Sequence, residues 1–67
     1  MQQPTPTLEL MRAANTRAHR ASVAKMLAHV HARQGDYIGA QVYADIAKRM
    51  DRAARRIVRD LIPLVAS

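Results

Sequence analysis

Residues 31–40 read His31-Ala32-Arg33-Gln34-Gly35-Asp36-Tyr37-Ile38-Gly39-Ala40, and the pair at their centre decides the fold. Gly35 supplies the left-handed backbone that ends one helix, and Asp36 accepts hydrogen bonds from the free N–H groups that begin the next. Upstream, from Thr7, the chain is rich in Ala, Leu, Met and Arg, all good helix formers. Either Thr5 followed by Pro6, or Thr7 itself, is placed to cap that helix. Downstream the same composition runs to Ile62, where Pro63 withholds a ladder N–H. Gly39 admits two readings, a mildly unfavourable helical residue or a point of close helix approach.

The expected architecture is all-α: a two-helix antiparallel hairpin over about 7–34 and 36–62, forming a four-helix bundle as a homodimer. A connection of one or two residues forces the helices to be antiparallel neighbours, and at 1.5 Å per residue each spans roughly 40 Å. Residues 1–6, with Pro4 and Pro6, are expected to be a disordered N-terminal tail. Residues 7–62 make the hairpin domain, and 63–67 a short C-terminal tail.

The dimer follows from the faces of the helices. In the second, Val42, Tyr43, Ile46, Ala47, Met50, Ala53, Ala54, Ile57, Val58 and Leu61 recur at three- and four-residue steps, a core stripe on one arc. The first helix carries two arcs, well over 100° apart. Val23, Met26, Leu27 and Val30 form one, and Ala14, Ala18, Ala21, Ala24, Ala28 and Ala32 form the other. Two faces imply two neighbours, because a lone two-helix layer leaves one of them wet. The alanine arc, which lets another helix approach closely, is the expected dimer or partner face.

Size and composition exclude much chemistry. A chain of 67 residues buries only roughly 60% of its unfolded surface, so a large enzyme core is ruled out. With no cysteine there is no disulfide, thiolate nucleophile or Cys-based zinc site. His29 and His31 stand two apart and His19 ten residues before the nearer, so none shares the i, i+4 spacing of two ligands on one helix face. His19 instead shares the arc of Val23, Met26 and Val30 with Arg12 and Asn15, a polar patch at the far end of that stripe. No glycine-rich phosphate loop is present, Ser22 and Ser67 have no base at a recognisable spacing, and no cofactor site is legible. Asp51, four residues before Arg55, reads as a surface ion pair. The chain is expected not to be an enzyme.

No apolar run approaches the roughly 20 residues that span a bilayer, and the start Met-Gln-Gln-Pro-Thr-Pro-Thr lacks the layout of a signal peptide. The expectation is a cytoplasmic protein with no integral membrane segment, and the richness in Ala and Arg suggests a bacterial or phage-like chain. Lys and Arg number 11 against 5 Asp and Glu, a formal charge of +6, which calls for an acidic partner. Lys48, Arg49, Arg52, Arg55, Arg56 and Arg59 occupy the arc of the second helix opposite its core stripe. Antiparallel pairing about Gly35 sets residue i near residue 70 − i and brings Arg12, Arg17 and Arg20 to the same end. Arg12, Arg17, Arg20, Arg49, Arg52, Arg55, Arg56 and Arg59 are therefore the candidate anion-partner site, set against Glu9, Asp51 and Asp60. Lys25, Arg33 and Lys48 face Asp36 and Asp45 at the loop end, which is close to neutral. Charge is thus polarised along the rod, and arginine's planar fork suits phosphate or carboxylate.

Residues 24–50, Ala-Lys-Met-Leu-Ala-His-Val-His-Ala-Arg-Gln-Gly-Asp-Tyr-Ile-Gly-Ala-Gln-Val-Tyr-Ala-Asp-Ile-Ala-Lys-Arg-Met, resemble one tetratricopeptide repeat. Leu27, Ala28, Gln34-Gly35-Asp36-Tyr37, Ala40, Tyr43 and Ala47 match the repeat's small and large packing positions in order, with His31 where an aromatic is usual. The resemblance implies a helix–turn–helix and protein–protein interaction, and carries over no functional residue.

These readings converge on a non-enzymatic binding protein docking on an acidic or helical protein surface, as an adaptor, a subunit or a small phage or plasmid inhibitor of the anti-CRISPR type. The alternative is a small regulator whose arginines bind DNA or RNA. A minor alternative is anionic membrane-surface binding by the cationic, amphipathic second helix.

Overall fold

The computed structural model describes residues 6–66. Helix α1 runs over Pro6–Arg33 and helix α2 over Tyr37–Ala66, packed against each other as a hairpin. No strand occurs among the described residues. The ends of the expected N-terminal tail (residues 1–5) and C-terminal tail (Ser67) lie outside them.

The turn forms as its residues dictate. Gly35 takes φ = 79°, the left-handed region open to glycine. The Gly35 N–H donates to the Ala32 carbonyl at 3.1 Å and the Asp36 N–H to the His31 carbonyl at 2.9 Å, the paired bonds of a Schellman C-cap. Asp36 then opens α2. Its carbonyl accepts the Ala40 N–H at 3.0 Å, and its Oδ1 accepts the Gly39 N–H at 2.9 Å, so it is the N-cap residue.

Helix boundaries differ from expectation at both ends. Pro6 is the first residue of α1, since its fixed φ and missing N–H cost nothing at that position. Helix α2 continues through Pro63 to Ala66, beyond the stop expected at Ile62. Proline removes the bond to the carbonyl four residues back, but Arg59 and Pro63 are both exposed, so water can take up that carbonyl.

The seam reverses the expected roles of α1's two arcs. The buried residues are Ala14, Ala21, Ala24, Ala47, Ala54 and Leu61. Ala14 and Ala21 are seven apart, as are Ala47, Ala54 and Leu61; seven residues is nearly two turns, so each set forms one line along its helix. Small side chains in both lines allow the helices to approach closely, which a ridge of Val23, Met26 and Val30 would prevent. The apolar arc of α1 is left outside, with Val23, Met26 and Val30 all exposed.

The same packing sets what α2 hides. Of its expected core stripe, Ala47, Ala54 and Leu61 are buried, Tyr43, Ile46, Met50, Ala53 and Ile57 are half-buried, and Val42 and Val58 are exposed. Helix α2 concentrates its apolar residues on one side, whereas α1 spreads them almost evenly around its axis. The hairpin is a single layer, 49 × 26 × 12 Å. Among the described residues five of the six that are buried are alanines, each contributing about one methyl, or ~0.8 kcal/mol.

Candidate functional site

Two shallow grooves flank the seam and tell its sides apart. One, of about 280 Å³, is lined by His19, Arg20, Val23, Ala24 and Leu27 of α1 and by Tyr43, Ile46 and Met50 of α2. The other is lined by Lys25, Ala28 and His29 of α1 with Ala44, Ala47 and Lys48 of α2. Both are apolar along their floors; Arg20 and His19 stand on the first, and Lys25, Lys48 and His29 on the second. Helical periodicity extends the first side to Met26 and Val30 on α1, and to Val42, Ala53 and Ile57 on α2. It extends the second to Ser22, Asp51, Arg55 and Val58.

The alanine arc is corrected as a partner face. Ala14, Ala21 and Ala24 are buried against α2, Ala28 and Ala32 are half-buried, and Ala18 alone is exposed. A surface that closes the hairpin is not free to close a dimer. The open apolar surface is instead the groove side, which neither stripe was expected to leave uncovered. Its signal was the width of the α2 stripe, broader than one helix neighbour can cover.

The eight candidate arginines divide into three groups. Arg17 is half-buried, and its Nη1 donates to the Ala13 carbonyl at 3.3 Å. Arg55 pairs with Asp51 at 3.3 Å, as the i, i+4 spacing predicts, and Arg59 approaches Asp60 at 3.7 Å. Both pairs are exposed enough for water and salt to screen them. Arg12, Arg20, Arg49, Arg52 and Arg56 are exposed and make no ion pair among the described residues. Arg49, Arg52 and Arg56 lie at three- and four-residue steps, one guanidinium per turn on the outward side of α2.

The histidines separate by role. His31 Nδ1 lies 2.8 Å from Asp36 Oδ2, and its ring stacks on Tyr43 at 5.0 Å between centroids and 30° between planes. His19 lines the apolar groove and His29 the opposite one. Among the described residues no group of three or more His, Asp or Glu is placed to hold a metal ion. The Gly39 N–H and His31 hold the Asp36 carboxyl below its ordinary range, the backbone hydrogen bond contributing most.

Among the described residues no helix is long and apolar enough to cross a membrane. No protein family, curated protein or solved structure matches this chain.

Proposed function

We propose that the protein is a non-enzymatic interaction module, assembled as a homodimer, that docks its arginine surface on an acidic or helical protein surface. The observation that carries this reading is the set of five exposed arginines without an ion pair among the described residues, three of them in register on the outward side of α2. Guanidinium groups not already paired are available to carboxylates, and the planar fork loses less entropy per hydrogen bond formed than a lysine ammonium does. The repeat-like helix–turn–helix of residues 24–50 supports protein contact in the same way.

A nucleic-acid reading draws on the same residues, because a row of arginines one turn apart can track phosphates. Tyr37 and Tyr43 are the only aromatics; Tyr43 is engaged with His31, and Tyr37 stands exposed at the turn, away from the arginine end, so a single ring rather than a row of them is open to a base.

The test is light scattering with poly-glutamate and with a short duplex DNA, each at about 50 and 300 mM salt. Complex formation with poly-glutamate at low salt, lost in the triple variant Arg49→Gln, Arg52→Gln, Arg56→Gln, supports the protein reading. Selective binding of the duplex transfers the site to phosphate. Absence of any complex at low salt, or a triple variant that binds as well as the parent, overturns the arginine site.

A further inference from the structure

We infer that the open apolar side of the hairpin is covered by a second copy of this chain, with α1 lying antiparallel against α1 of the partner across the loop-side half of the rod. The inference rests on the homodimeric reading above and adds to it the face, the register and the orientation.

The need for a second layer comes from the packing. Secondary-structure layers become stable by burying one face against another, and here, among the described residues, a layer 12 Å thick buries one leucine and otherwise only alanines. On the groove side Met26 is 64% exposed, Val42 52% and Val30 44%, beside half-buried Leu27, Ile46 and Met50. These six lie in the half of the rod nearest the turn. Half of a 49 × 26 Å face is on the order of 600 Å², before the relief of the side chains is counted, against the ~800 Å² per partner of a standard interface.

Charge and size select the occupant. An acidic partner is drawn to the arginines, most of which lie at the other end. The loop-side half, counted as far as Met50, holds Lys25, Arg33, Lys48 and Arg49 against Asp36 and Asp45. Of these cations none lines the groove, whose one arginine, Arg20, stands at its end away from the turn. Turnward of Arg20 the lining is apolar, and an apolar patch suits an equally apolar one, which a second copy of the chain supplies. The groove, at about 280 Å³, falls below the roughly 300–1,000 Å³ of small-molecule pockets and has the form of a slot for side chains.

Charge also selects the arrangement. A two-fold axis in the plane of the interface must either run along the rod or cross it, because the contact is face to face. An axis along the rod sets two arginine-rich ends side by side. An axis across the rod near Met26 overlays the two apolar halves and carries the arginine ends to opposite extremes of the assembly. The second arrangement keeps apolar on apolar: sliding the copies to full overlap would put Val23, Met26 and Val30 against Arg12, Thr16 and His19.

The test is sedimentation equilibrium at micromolar concentration with circular dichroism on the same samples. Wild type is expected at twice the 7.5 kDa chain mass, with Met26→Glu and Val30→Glu each shifting it toward 7.5 kDa. Val58→Glu, an equally exposed apolar position on the other side of the seam, should leave the dimer intact. A fully helical wild-type monomer overturns both the homodimer and this face. A dimer that survives Met26→Glu and Val30→Glu overturns the face and leaves the homodimer standing. Orientation is read from single cysteines in this cysteine-free chain: Met26→Cys should oxidise to a disulfide-linked dimer and Gln34→Cys should not, and a disulfide through Gln34→Cys overturns the antiparallel arrangement, because an axis along the rod sets that position level with its mate as well.

Discussion

His31 Nδ1 and Asp36 Oδ2 are 2.8 Å apart, and this polar contact stands where a Schellman cap ordinarily sets two apolar side chains together. The reason is that Asp36 serves both helices: its backbone N–H closes α1 and its other carboxylate oxygen caps α2. One side chain therefore couples the end of one helix to the start of the next. His31 extends the coupling to Tyr43 by stacking on it.

Acid should weaken this turn with a predictable sign. The folded Asp36 carboxyl titrates below its ordinary value, so its contribution is complete above the unfolded value and is lost as pH falls through the folded one. The window lies below about pH 4. Asn at the same position still caps a helix but does not ionise. Urea midpoints between neutral pH and about pH 2.5 should therefore fall more for wild type than for Asp36→Asn; parallel curves would refute the assignment.

Gly39 is held by the cap rather than by helix-to-helix contact. A Cβ there would meet Asp36 Oδ2 too closely, with Asp36 Cγ at 2.8 Å and His31 Nδ1 at 3.0 Å. Gly39→Ala should forgo the roughly 1 kcal/mol that alanine ordinarily adds to a helix interior, because the carboxylate must move off the Gly39 N–H. In an Asp36→Ala background that gain should reappear. Additive effects in the double-mutant cycle would show that the crowding has no consequence.

Ala21 sits 2% exposed in the seam, so enlarging it acts on the hairpin itself. Ala21→Leu is expected to cost about 1–3 kcal/mol by overpacking, seen as a lower urea midpoint with an unchanged slope. Ala18→Leu, at the exposed member of the same arc, should cost well under 1 kcal/mol. Equal losses at the two positions would mean the alanine seam is not where the helices meet.

Pro63 interrupts the ladder of α2 three residues before its end. Pro63→Ala should raise the melting temperature and the helical ellipticity together, by less than the ~3 kcal/mol a mid-helix proline costs, since the last turns are weakly held in any case. A lowered melting temperature would mean that the proline contributes to the fold elsewhere.

Gly35, Asp36 and the helix-forming runs around them determined the hairpin, because a left-handed position followed by a capping carboxylate is a local instruction that needs no distant partner. The i, i+4 pair of Asp51 and Arg55 was legible for the same reason. Which arc of α1 would face α2 was not legible. Periodicity places Val23, Met26 and Val30 on one side and the alanines on another, but the choice between them depends on how closely two backbones can approach, and that depends on both helices together. Tertiary structure chose the alanines on α1 because α2 offers Ala47 and Ala54 in the same seven-residue rhythm. The larger apolar side chains were thereby left on the open side, and Arg17 was drawn toward the seam while Arg49, Arg52 and Arg56 stayed free.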